Sequence, residues 1–399
     1  MKIAFFTSLS PIQSALSDYG EGLALAMSEI ANVTVDVFID DNYKPDNVIL
    51  TQKLSVYTYH EFEARAQDYD IYLYSMGDHS GYYGYMFDFI YRYPGIVILN
   101  DLTLHRCILQ FASTKKRMKF YLDELQYAYG IRDLHLASQI EAGLGDLLVL
   151  EYPMFEHIVD SSLGVIVQNR YAQDRILAKC SDAKVTCIPY PFFMPPGFPQ
   201  DFDLAALRAQ QRTKMELEGH FVVGSFGIFV PNKHLESCLR SFAHVAQKYP
   251  QAKYILVGSV VAGYDLMGYI ADMGLTEQVL LTGWLSPVQF VRYMFALDVG
   301  IHLRYPHIGG TPYTPIRLMG LDVCTVVSDI EPLAEIPQGA CIKIAPDDYQ
   351  ESTLLAMLDY LAEHPQFRQQ VSANGYQFID QYHNLTQIAQ QSVAFMASV

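Results

Sequence analysis

Two cations stand where strand patterns give way to helix patterns: Lys233 in GSFGIFVPNKHLESCL (224–239) and Arg317 in RYPHIGGTPYTPIRLMG (304–320). A cation in the first turn opposes the helix dipole by ~0.3–1 kcal/mol unless an anion compensates it. A phosphate at a helix start takes backbone N–H bonds and welcomes an ammonium or a guanidinium. In the first stretch, glycines let the backbone approach a ligand, and a helix is expected from near Asn232 with Lys233 in its first turn. In the second, Gly309 and Gly310 allow a tight turn, and Thr314–Pro315 reads as an N-cap and first helical residue. The N–H groups near Thr311, Tyr313 and Thr314 could meet an anion, although Pro312 and Pro315 donate nothing. Two such corners on one sheet suggest a diphosphate. The plainer alternatives are an exposed lysine that tolerates its place, and an arginine paired with Asp322, Asp329 or Glu331.

Other candidates lie in the first half. LNDLTLHRC (99–107) sets Asp101 and His105 four apart, on one face if a helix begins at once, where a carboxylate can orient an imidazole. Gly77, Asp78 and His79 follow the strand pattern DIYLYS and are candidates for polar substrate groups. In PIQSALSDYGEGLA (11–24), Ser17 or Asp18 is the expected cap of the next helix. This loop lacks G-x-G-x-x-G, which argues against a dinucleotide cofactor. STKKRMKFYL (113–122) is the only basic run. Its Lys115, Lys116, Arg117 and Lys119 are a candidate contact with an anionic membrane surface or a lipid-linked acceptor; the alternative is a solvated helix face. Asp68–Tyr69–Asp70 and Asp201–Phe202–Asp203 fit a D-x-D pattern. One opens a buried strand and the other lies in a linker, so no metal site is read from either.

The elements that must carry these residues alternate. Short runs apolar on both faces recur at 2–6, 33–39, 70–75, 95–100, 163–168 and 184–189, then again at 221–226, 252–258, 278–283, 298–303, 324–329 and 340–345, with helical patterns between most of them. That rhythm predicts two α/β domains, each a doubly wound, Rossmann-like parallel sheet covered on both faces. The expected division is a first domain over 1–190 with an all-helical insertion at about 103–160, a linker at 191–202, a second domain over 203–380, and a final helix at 381–399 that could cross back to the first. PYPFFMPPGFPQDF (189–202), with five prolines and a glycine, marks the linker. Ligands of such domains are expected in a cleft at the carboxyl ends of the strands.

Composition narrows the function. The 399 residues carry a net charge of -16, which disfavours a nucleic-acid partner. Six scattered cysteines form no C-x-x-C or zinc pattern, and no apolar run reaches the length of a membrane span. A cytoplasmic protein, with at most peripheral contact with the inner face of a membrane, is the simplest expectation.

Taken in order and spacing, FGIFVPNKHLESCL, YILVG, LTEQVLLTGWLS, ALDVGIHLRYP and VVSDIEPLAEIP resemble the donor-binding domain of the family 4 type of retaining glycosyltransferases, which have the GT-B fold. SDYGEGLALAM and VILNDLTLH resemble its acceptor-side loops. The resemblance implies transfer of a hexose from a nucleotide-diphosphate sugar to a saccharide or lipid-linked acceptor, with retention, without a metal ion and with no further cofactor. It implies that Lys233 holds the donor diphosphate, with Gly227 beside it, and that backbone around Gly283 and Trp284 cradles the base. It further implies that the segment Gly309, Gly310, Thr311 to Thr314 binds phosphate and sugar, and that His105 lies near the transferred sugar with Asp101 supporting it. Ser17, Asp18, Asp78 and His79 fall on the acceptor side. Two departures stand out. The family's arginine shortly before the lysine is replaced by Gly227 and Ile228, which makes Arg304 or Arg317 the substitute guanidinium. Its two glutamates fall at Gly309 or Gly310 and at Arg317. Their loss keeps open a second reading, a non-catalytic paralogue that binds a sugar nucleotide or a partner enzyme.

Overall fold

The computed structural model describes residues 1–142, 148–198, 202–307 and 309–399. Asp201, within the second D-x-D pattern, and part of the proline-rich stretch lie outside them. The chain forms two units: Met1–Pro191 with Ile308–Thr311 and Leu385–Val399, and Phe192–His307 with Pro312–Asn384.

The first unit is a seven-stranded parallel sheet in the order β3-β2-β1-β4-β5-β6-β7. Its strands are β1 (Lys2–Phe6), β2 (Thr34–Ile39), β3 (Ser55–Thr58), β4 (Ile71–Met76), β5 (Ile96–Leu99), β6 (Gly164–Val167) and β7 (Val185–Cys187). Residues of β1, β5 and β6 are buried almost throughout, as a parallel sheet covered on both faces requires. An aromatic cluster fills one face: the Phe6 ring stacks on Phe38 at 5.1 Å and on Tyr74 at 4.8 Å and meets Phe62 edge-on at 4.8 Å. Such pairs add ~0.5–1.5 kcal/mol each beyond the area they bury. β3 was not foreseen from sequence. It is a four-residue edge strand, SVYT, and none of its residues is fully buried.

Between β5 and β6 the described chain is helical, with helices His105–Thr114, Met118–Tyr129, Leu134–Glu141, Leu148–Glu151 and Glu156–Asp160. The basic run at 113–122 is not one helix face. It spans the end of one helix, a turn and the start of the next. Within it Arg117 pairs with Asp88 at 2.8 Å and Lys119 with Asp123 at 2.7 Å. The last helix, Leu385–Ser398, packs on the first, Ala15–Ser28, inside this unit.

The second unit is a six-stranded parallel sheet, β10-β9-β8-β11-β12-β13, built from β8 (Val222–Phe226), β9 (Lys253–Val257), β10 (Val279–Leu281), β11 (Val299–His302), β12 (Cys324–Ser328) and β13 (Ile342–Ile344). The chain passes from β8, at the middle of the sheet, outward through β9 to β10, then returns to β11 on the other side of β8. That reversal of direction is the topological switch point where ligands of open α/β sheets bind. The site below lies at the carboxyl ends of β8 and β11. The fold is therefore two α/β parallel-sheet units, as the alternation of apolar runs predicts. Among the described residues, no helix is long and apolar enough to cross a membrane.

Candidate functional site

β8 ends at Phe226 and the chain bends at Gly227, whose φ of +98° few L side chains adopt. The Gly227 N–H donates to the Val257 carbonyl at 2.9 Å, which ties the bend to the end of β9. Gly258 follows at φ +141°, and a Cβ there would overlap the Gly227 carbonyl oxygen. Gly258 in turn bridges Gly283 beyond β10. Bare backbone therefore lines the rim from β8 to β10. Trp284, next to it, is 43% exposed.

Lys233 is not in the first turn of the following helix. Pro231–Lys233 is a 3-10 turn, His234 takes the left-handed conformation as the N-cap, and the α-helix runs Leu235–Lys248. The lysine side chain folds back instead, and Nζ donates to the Phe226 carbonyl at 2.7 Å, at the end of β8. A Cβ on Gly227 would come within 2.9 Å of that Nζ, so the glycine makes room for the ammonium. Burial, then repulsion from Arg304, pulls the lysine down to about 7 from 10.5.

Arg304 follows β11. Its N–H donates to Ser328 Oγ at 2.8 Å, at the end of β12, and its charge acts on Lys233, His302 and His307. The loops after β8 and β11 are knitted together. The Tyr305 N–H donates to the Asn232 carbonyl at 2.8 Å, and Asn232 Nδ2 donates to the Pro306 carbonyl at 3.3 Å. His234 Nε2 donates to the Tyr305 carbonyl at 3.0 Å, so its Nδ1 accepts from Gln350 Nε2, also at 3.0 Å. This holds Lys233 and Arg304 on one rim.

The Arg317 corner differs from expectation. The helix is Tyr313–Gly320 with Pro312 as its N-cap, so Thr314 and Pro315 are its second and third residues. Arg317 lies in the last turn, where a cation suits the dipole. It is 5% exposed, and its guanidinium sits over the Tyr313 ring at 4.5 Å. The helix-start argument that singled it out does not hold. Arg304 is the guanidinium whose charge reaches Lys233.

Gly309, Gly310 and Thr311 group with the first unit. Asn169 Nδ2 donates to Thr311 Oγ1 at 2.9 Å and to the Gly309 carbonyl at 3.3 Å. A Cβ on Gly310 would overlap Asp101 Oδ1. These glycines serve a close approach to the Asn100–Leu102 backbone and side chains.

His105 is fully buried and begins its helix, so Asp101 precedes that helix and shares no face with it. Its Nδ1 donates to the Tyr152 carbonyl at 2.6 Å, which leaves Nε2 to accept from Tyr121 Oη at 2.9 Å. Burial pulls its pKa down to about 4. Asp101 Oδ2 instead accepts the Asp78 N–H at 3.0 Å, and Asp78 Oδ1 accepts the Cys107 N–H at 2.9 Å. The pairing of Asp101 with His105 inferred from spacing is thus replaced by two separate loop-holding networks. His79 stacks on Tyr82 at 4.0 Å.

The first helix is capped by Ser14, which accepts the Leu16 N–H. Neither Ser17 nor Asp18 is the cap: both lie inside the helix, with Ser17 buried 2.9 Å from Ser8 Oγ. A residue that sequence reading passed over, Glu21, is buried here. It accepts the Ser10 N–H and hydroxyl at 2.7 Å each and Asn47 Nδ2 at 2.6 Å. It pins the loops after β1 and β2, and only its place in an otherwise apolar helix run signalled it.

Residues 208–378 match the model of the family described as glycosyl transferases group 1. The α-D-kanosaminyltransferase of Streptomyces kanamyceticus is 22% identical over 177 residues, 44% of this chain and 45% of that protein. The chain thus spans about half the length of this curated relative. HepE from Anabaena, solved in complex with UDP and with UDP-glucose, is similar over all of both chains with a TM-score of 0.66 at 17% identity. Sucrose-phosphate synthase from Thermosynechococcus elongatus gives 0.66 at 15% identity, over all of this chain and 98% of that one. The fold is that of GT-B glycosyltransferases.

Proposed function

We propose, from the premise that residues 208–378 carry a group 1 glycosyltransferase domain, that this chain transfers a hexose from a nucleotide-diphosphate sugar to a saccharide or lipid-linked acceptor, with retention and without a metal ion. The observation that carries the donor half is the state of Lys233. Its ammonium is folded into a glycine-lined rim and destabilised by burial and by Arg304. A diphosphate placed among these cations offsets both effects. As the glycosidic bond breaks, negative charge gathers on the leaving diphosphate, and Lys233 with Arg304 neutralises it there.

Gly227 and Gly258 keep side chains off the approach. The backbone near Gly283 and Trp284 is assigned to the base. In the second unit Thr314 is assigned to phosphate and sugar; in the first, Asp18, Asp78 and His79 are assigned to the acceptor, whereas Gly309 and Gly310 pack on Asn100–Leu102 and Ser17 is buried against Ser8. His105 and Asp101 act by holding the loop after β5 rather than by touching the reacting atoms.

The test is a thermal-shift screen of UDP-, GDP-, ADP- and dTDP-sugars, followed by assay of nucleoside diphosphate release. A selective ligand raises the melting temperature, and slow release without acceptor supports a transferase. Binding with no turnover favours the second reading, a regulatory binder, for which the glycines and Arg317 at the family's glutamate positions argue. No shift with any donor refutes both.

A further inference from the structure

His302 is the last residue of β11. It is 5% exposed, and its Nε2 is buried with no hydrogen-bond partner. An orphaned imidazole nitrogen is costly when buried and calls for a reason. Its position supplies one. In the sheet it pairs with Val327 of β12, while on the other side β11 pairs with β8, whose last carbonyl holds Lys233 Nζ. Strand alternation puts His302 on the face of Gly300, where the helix Tyr313–Gly320 packs: a Cβ on Gly300 would meet Leu318.

Among the described residues, the charged groups that act on it are cations. Lys233 and Arg304 act on it directly, and Arg317 is the charged residue of the helix packed on its face; β12 contributes no charged side chain.

Resting on the donor reading above, we infer that His302 is a third member of the diphosphate clasp: neutral in the free protein, it takes a proton from solvent onto its ring when the diphosphate binds and then faces the anion as an imidazolium. The balance is simple. One proton leaves the buffer and joins the ring nitrogen, and no bond in the ligand changes. Burial together with Lys233 and Arg304 keeps the free imidazole well below its ordinary titration range. A bound dianion offsets both cations, and protonation then becomes favourable. The clasp would thus gain charge when it is needed, with less mutual repulsion in the free state.

The test is calorimetry of UDP-glucose binding at about pH 6 in two buffers of different ionisation enthalpy, which counts protons taken up. UDP-glucose is the probe because its diphosphate keeps a fixed charge across this range, and Lys233 is already mostly protonated there. The wild-type chain should take up a substantial fraction of a proton, approaching about one. H302Q should bind roughly tenfold or more weakly and take up none. If the wild type binds without proton uptake, or if H302Q binds with the same uptake, the inference is overturned. H302N serves if H302Q does not melt as a folded protein, and the wild-type proton count decides against the inference without either variant. Failure of the donor reading is distinguishable: the wild type then binds none of the four sugar nucleotides at any pH, and both proposals fall together.

Discussion

If Lys233 grips the diphosphate as an ammonium, donor affinity must fall as pH rises through neutrality. Its folded pKa is about 7 against an ordinary 10.5, with burial the first cause and Arg304 the second. Below about pH 7 the ammonium is present in the free protein and Lys233 adds no protonation cost to binding. Above it, each bound donor must draw one proton from solution, which weakens apparent affinity by about tenfold per pH unit. From pH 7 to pH 9 the dissociation constant for UDP-glucose should therefore rise by up to roughly a hundredfold. K233M should lose the lysine's share of this slope and, at about pH 6, bind roughly ten- to a hundredfold more weakly, the worth of one charge-assisted hydrogen bond.

The free protein should respond in the opposite sense. Because the unfolded lysine holds its proton up to higher pH than the folded one, the native state gains stability as pH rises from about 7 toward 10.5. K233M, which removes the buried charge, should then melt higher than the wild type at neutral pH without ligand. Isothermal calorimetry across pH 6 to 9, paired with melting curves of both proteins, measures both effects. A flat dissociation constant in the wild type, or the same slope in K233M, would refute the reasoning.

Further outcomes follow from the same geometry. R304A should weaken UDP-glucose binding about tenfold or more, whereas R317A, acting on a buried guanidinium over Tyr313, should lower stability and leave the affinity of the folded protein within about threefold. Titration of both variants by calorimetry separates the two arginines. Stability should fall as pH drops from about 6.5 to about 4, because unfolded His105 protonates there while the buried ring stays neutral; H105Q should lack that part of the slope in urea melts. G258A should lose about 1–3 kcal/mol in denaturant unfolding, since its Cβ would meet backbone at a φ of +141°.

The architecture was readable because parallel strands buried on both faces leave continuous apolar runs; the twelve runs identified correspond to β1, β2 and β4–β13. β3 escaped because SVYT is an edge strand, and an edge strand needs no apolar run. Local signals misled where tertiary packing overrode them. Thr314–Pro315 looked like a helix start, but the helix begins at Tyr313 after Pro312. The four-residue spacing of Asp101 and His105 suggested a pair, while Tyr121 and Tyr152, distant in sequence, take both ring nitrogens. Lys233 was singled out for a dipole that it does not oppose. Its place at the rim depends on the Phe226 carbonyl, the space left by Gly227 and the charge of Arg304, none of which spacing along the chain reveals.

The central claim is that the strand ends of β8 and β11 hold a sugar nucleotide through its diphosphate. Crystals grown with UDP-glucose test it most directly. Diphosphate oxygens within hydrogen-bond reach of Lys233 Nζ and the Arg304 guanidinium, over the bare backbone of Gly227 and Gly258, are the predicted result. A nucleotide bound elsewhere on the chain, with the lysine still on the Phe226 carbonyl and no phosphate beside it, would contradict the account.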